Sequence, residues 1–99
     1  MFKKRPIQAQ IEEYIRFKRK LAPIAADLDQ DWLKRFARYE SAQSVEAIEL
    51  SQILRYRERV WLHGTQYQYQ DFLRAIRCFL RYYKARKYPC LSPTLIERH

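Results

Sequence analysis

With one glycine and four prolines in 99 residues, the chain has few places to reverse direction sharply. Hairpins and barrel corners draw on residues that tolerate positive φ, so this scarcity disfavours a sheet protein and favours long helices. Cysteine is scarce as well. Cys78 and Cys90, twelve apart, match neither the CxxC spacing of a zinc site nor the density of a disulfide-stapled secreted domain. Both are expected as free thiols in a reducing, cytoplasmic setting. No apolar run approaches the ~20 residues that cross a bilayer. The basic start Met1-Phe2-Lys3-Lys4-Arg5-Pro6 is followed by Gln8, Gln10, Glu12 and Glu13, where a signal peptide would need an uninterrupted apolar stretch. Neither export nor a membrane partner is implied.

What the chain does have is aromatic bulk and positive charge. Two Trp, eight Tyr and five Phe supply enough apolar surface for one core, and the length fits a single domain rather than two. Twenty Lys and Arg against eleven Asp and Glu leave a net charge of +9, a field that attracts polyanions, nucleic acid first among them.

Hydrophobic periodicity divides the chain into four helices. Ile7, Ile11, Tyr14, Ile15 and Phe17 mark the first, to about Lys20, with Arg16, Lys18, Arg19 and Lys20 at the end where the helix dipole favours cations. Pro23 suits the first turn of the second, which carries Leu28, Trp32, Leu33, Phe36 and Tyr39 to about Glu40. Asp27, Asp29 and Asp31 alternate like a calcium loop. Trp32 stands where that loop needs glycine and Arg38 where it needs glutamate, so they read as acid early in a helix and no metal or cofactor is expected. After a connector from Ser41 to Ser44, Val45, Ile48, Ile53, Tyr56, Val60 and Trp61 support a less regular third helix with a break expected near Leu50 and Ser51. Gly64 stands where a helix C-terminus wants a residue of positive φ. Thr65 and Gln68 form a T-x-x-Q capping box for the fourth helix, whose buried side is Phe72, Leu73, Ile76, Phe79, Leu80 and Tyr83, and which runs to about Lys87 before Pro89. Ser92-Pro93-Thr94-Leu95 looks like a further helix start. The expected fold class is all-α, a compact four-helix bundle.

The charge is concentrated. Between Phe72 and Tyr88 stand Arg74, Arg77, Arg81, Lys84, Arg86 and Lys87 with no carboxylate, and the first four share one helix face. Lys34, Arg35 and Arg38 form a second basic cluster on the polar side of the second helix. Two such faces could straddle a duplex, one at a major groove and one on phosphates. Tyr14, Tyr39, Tyr56 and Tyr83 lie on or beside apolar stripes and are expected in or near the core. Tyr67 and Tyr69, flanked by Gln66, Gln68 and Gln70, are placed where a polar surface could meet nucleic acid.

These residues resemble a known pattern. Ile11-Glu12-Glu13-Tyr14-Ile15, then Leu21-Ala22-Pro23 with Leu33-Lys34-Arg35-Phe36-Ala37-Arg38-Tyr39, and above all Leu73-Arg74-Ala75-Ile76-Arg77-Cys78-Phe79-Leu80-Arg81-Tyr82-Tyr83 resemble the N-terminal core-binding, or SAM-like, domain of tyrosine recombinases, the phage integrase family. Leu91-Ser92-Pro93-Thr94-Leu95-Ile96-Glu97 resembles the segment that opens the family's catalytic domain. The resemblance implies double-stranded DNA as partner, with other recombinase protomers on the same DNA, in DNA recombination and integration. It places DNA contact on Lys34, Arg38, Gln68, Gln70, Arg74, Arg77 and Arg81, and the two basic clusters add Arg35 and Lys84 as candidates. It implies a DNA-binding domain over residues 1–88 and, over 89–99, a tail or the start of a linker to a catalytic domain. Leu21-Ala22-Pro23-Ile24-Ala25 departs from the family's L-S-x-x-T, which removes a cap and a phosphate-binding hydroxyl, and Gln68 stands where a later Thr is usual. No catalytic residue is assigned: His63 and His99 lack the H-x-x-R setting, and no triad or paired acids occur. A helical protein-interaction module with an acidic partner and an RNA-binding helical protein are the rival readings.

Overall fold

A computed structural model describes residues 5–64 and 66–97. They form α1 (Ile7–Leu21), α2 (Pro23–Glu40), α3 (Leu50–His63), α4 (Gln66–Ala85) and the one-turn α5 (Thr94–Glu97), with a 3₁₀ turn at Val45–Ala47 ahead of α3. No strand occurs among the described residues, and the fold is the expected all-α bundle of four substantial helices.

A single residue joins α1 to α2. Ala22, at φ −150° and ψ 84°, ends one helix and starts the next, and Pro23 follows without an amide that would need a partner. No side chain caps α2 here, as the missing hydroxyl at Ala22 implies. The two helices pack along their length. Between them the Tyr14 hydroxyl donates to Asp29 Oδ2 at 2.9 Å, and Lys18 Nζ lies 3.7 Å from the same oxygen. Burial first, and the Asp29 charge second, push the Tyr14 phenol far up, so it stays protonated and able to donate.

The core is largely aromatic. Trp32 and Phe36 of α2 lie 6.1 and 5.5 Å from the ring of Phe72 on α4, and Tyr56 of α3 meets the same ring edge-on at 4.8 Å. On α4 the whole expected stripe, Phe72, Leu73, Ile76, Phe79, Leu80 and Tyr83, is buried. Removing one such ring costs about 3–5 kcal/mol, so this stripe fixes which side of α4 turns outward.

Polar anchors position the connectors. The Val45 amide donates to Gln10 Oε1 at 2.7 Å, Gln10 Nε2 donates to Glu46 Oε1 at 3.1 Å, and the Ile7 amide donates to the Gln43 carbonyl. Gln10 is fully buried for this purpose. Beside them the Tyr83 hydroxyl, 2.9 Å from both the Gln10 carbonyl and Glu13 Oε1, joins α4 to α1, and Arg5 grips Glu13 through two bonds of 2.8 and 3.1 Å. The segment after α4 then returns to the bundle, where Cys90 and Ile96 are buried.

Some expectations fail. Gly64 has φ −143° and ψ −158°, which is extended backbone, and the left-handed positions are Ser41 at 52° and Lys87 at 64°. Space, not φ, selects glycine: a Cβ would strike the Gln68 side-chain amide and come within 2.9 Å of the Val60 carbonyl. The break expected near Leu50 is there, but Val45–Ala47 ahead of it is a 3₁₀ turn rather than α-helix, and α3 starts at Leu50 because Ile48 and Glu49 are extended. Glu49 then caps it through a reciprocal box with Gln52. Phe17, Leu28, Tyr39 and Trp61 belong to apolar stripes in the sequence but are 41, 49, 46 and 53% exposed. On α2, Ala26 and Asp29 face the core, and Leu28 is turned aside by about 100° per residue step. The Thr65–Gln68 capping box lies outside the described residues.

Candidate nucleic-acid interface

Helical geometry places Gln70, Arg74, Arg77, Arg81 and Lys84 of α4 within an arc of about 80°, and Arg74 to Lys84 spans about 15 Å of axis. All are exposed except Arg77, which is half-buried. The opposite side of the helix is the core stripe, so these cations form one outward face. Arg74 has an ion-pair partner one turn back, Asp71 at 3.6 Å, with both side chains 47% exposed. A pair so long and solvated is worth at most about 1 kcal/mol and leaves the guanidinium available. Lys84 Nζ donates to the Cys90 carbonyl at 3.2 Å, a neutral partner that keeps its charge uncancelled. Among the described residues no ion pair involves Arg77, Lys34 or Arg38.

On α2, Lys34, Arg35 and Arg38 are exposed. Arg35 pairs with Asp31 at 3.0 Å and lies 5.8 Å from the Trp32 ring. Arg35 and Gln68, from α2 and α4, line one open hollow of about 240 Å³ together with Arg59 and His63 of α3. Arg81 lines a different groove of about 260 Å³, between α1 and α4, with Lys18 and Arg86 beside Tyr14, Phe17, Cys78 and Tyr82. Arg86 stacks over the Tyr82 ring at 3.5 Å. Lys34 and Arg38 line neither hollow. The expected residues are therefore distributed over the outer face of α4, the outer face of α2, and the junction between them.

Sequence reasoning missed Arg59, His63 and Lys18. Arg55, Arg59 and His63 recur every four residues on α3, a readable basic stripe. Arg55 is spent on Glu40, which it grips at 2.6–3.2 Å, while Arg59 stacks over Tyr39 at 4.4 Å and faces the hollow. Tyr69 packs edge-on against Trp61, ring centres 5.2 Å apart, and so presents only part of its surface. The side chain of Tyr67 lies outside the described residues.

Burial pushes the Cys90 thiol up, with nearby Lys84 opposing, which keeps it protonated and a poor nucleophile. No group of three His, Cys, Asp or Glu side chains converges among the described residues. None of the described helices is long and apolar enough to cross a membrane. Neither family models, curated proteins nor solved structures give a match to this chain.

Proposed function

We propose that this chain binds duplex DNA, chiefly through phosphates, as the core-binding domain of a phage-integrase-like recombinase whose chemistry resides in a separate catalytic domain. The observation that carries the reading is the outer face of α4: Arg74, Arg77, Arg81 and Lys84 lie on one side of a helix whose other side is buried, and Arg74 is held only by a long, exposed pair with Asp71. Like charges at these spacings repel one another, and interspersed Glu would relieve them at no cost to folding. An anionic rod relieves them instead. Lys34, Arg35 and Arg38 supply a second set of phosphate contacts from α2.

The test is the salt dependence of duplex affinity, followed by fluorescence anisotropy. Four phosphate contacts from α4 alone give a slope of log K against log salt of about −3.6, so tripling the salt weakens binding about fifty-fold. Replacing Arg74 and Arg77 by Gln flattens that slope by about 1.8 and weakens binding to unrelated sequences alike. An affinity insensitive to salt overturns the reading.

A further inference from the structure

We propose that the hollow between α2, α3 and the start of α4 is a phosphate-binding pocket, separate from the outer face of α4. Three helices deliver its donors: the guanidinium groups of Arg35 and Arg59, the imidazole of His63 and the side-chain amide of Gln68. Among the described residues no carboxylate lines it. Asp31 pairs with Arg35 at 3.0 Å, both side chains being 59% exposed, a contact weak enough to yield to a better anion. Arg59 lies over the Tyr39 ring, its guanidinium carbon 4.4 Å from the ring centre, a cation–π contact that helps to hold the guanidinium beside the hollow. Both cations lie close enough to Tyr56 for their charge to oppose the upward push that burial gives its hydroxyl.

The floor is apolar, made by Trp32, Tyr56 and Val60, and a charge meeting cations beside such a floor is screened less than in open water. Gly64 stands in the wall. Its backbone is extended, so any residue could adopt it, yet a methyl group there would strike the Gln68 amide and crowd the Val60 carbonyl. The chain's one glycine thus keeps Gln68 in its place beside the cavity. Donors that arrive from several directions match the tetrahedral oxygens of a phosphate. A flat carboxylate would be satisfied by one guanidinium fork alone. The phosphate can belong to a small phosphorylated molecule or to a nucleic-acid backbone.

Titration of the ¹⁵N-labelled full chain with inorganic phosphate, chloride being adjusted to hold ionic strength constant, tests this directly. The Trp32 indole N–H and the Gln68 side-chain amide are expected to shift and saturate. Arg59→Gln and Arg35→Gln, both surface substitutions, should each weaken binding about tenfold, the loss of one charge-assisted hydrogen bond. Arg16→Gln, which removes an exposed guanidinium outside the hollow, should bind phosphate as the native chain does. A drift that never saturates, or native affinity in both arginine variants, overturns the proposal. Displacement of bound phosphate by a nucleoside monophosphate or by duplex DNA then identifies which source carries the group, and the duplex arm reports on the α4 face separately.

Discussion

Replacing Tyr14 by Phe isolates a single buried interaction. The Tyr14 ring packs edge-on against Phe79 and Tyr82 at 5.6 and 5.4 Å, and Phe preserves those contacts while deleting the hydroxyl that donates to Asp29 at 2.9 Å. Asp29 is 1% exposed, and its other carboxylate oxygen has no hydrogen-bond partner. What remains is Lys18 at 3.7 Å. A hydrogen bond to a charged acceptor is worth about 1.5–3 kcal/mol, and a buried carboxylate deprived of its best donor sits at the upper end. A loss of about 2–3 kcal/mol is expected, equivalent to a fall in melting temperature of about 10–15 °C for a chain of this size. Urea unfolding followed by circular dichroism measures it. The double variant Tyr14→Phe with Asp29→Leu should recover most of the loss, because the stranded charge goes with its donor. A single variant within about 0.5 kcal/mol of the native chain, or a double variant weaker than the single, would refute this account of how α1 is held on α2.

Two further outcomes are expected. The Arg5 guanidinium, through its hydrogen bonds, holds the Glu13 carboxyl below its ordinary value, with the Tyr83 hydroxyl adding to the effect. A depressed carboxylate contributes stability that is full above its unfolded pKa and is lost as pH falls through the folded one, so Glu13→Gln should remove part of the acid sensitivity below about pH 4.5, read from melting temperature against pH. Gly64→Ala should destabilise the fold by about 1 kcal/mol although the substitution stiffens the unfolded chain, because the Val60 carbonyl at 2.9 Å is backbone and cannot step aside. Thermal unfolding checks the sign, and a rise in melting temperature would contradict the steric argument.

The buried side of α4 was legible because more than five turns of unmixed pattern leave one solution, with Phe72, Ile76, Phe79 and Tyr83 on one side and the arginines on the other. α2 was harder. Asp27, Asp29 and Asp31 look alike in sequence, yet on a helix the outer two share a face and the middle one lies nearly opposite. Asp27 pairs with Arg19, Asp31 pairs with Arg35, and Asp29 goes inside to meet Tyr14. Gln10 is hidden for the same kind of reason: its partners, Val45 and Glu46, are remote in the chain, and no local pattern reveals them. Trp61 and Leu28 erred the other way, since periodicity reports a greasy stripe without saying how much of it neighbours will cover. Of the candidate site, the α4 face was readable as periodicity plus charge. The hollow that joins Arg35 and Gln68 to Arg59 and His63 was not, because it exists only where three helices meet.

The joint at Ala22 sets a limit on adaptability. With one residue between them, and the Arg19–Asp27 and Tyr14–Asp29 contacts spanning the angle, α1 and α2 form an elbow without slack. The cations at the end of α1, Lys18, Arg19 and Lys20, are thereby held at a preset distance from those of α2. A polyanion laid across the elbow meets a fixed template, and it is the polyanion's own groove width and bending stiffness that must conform.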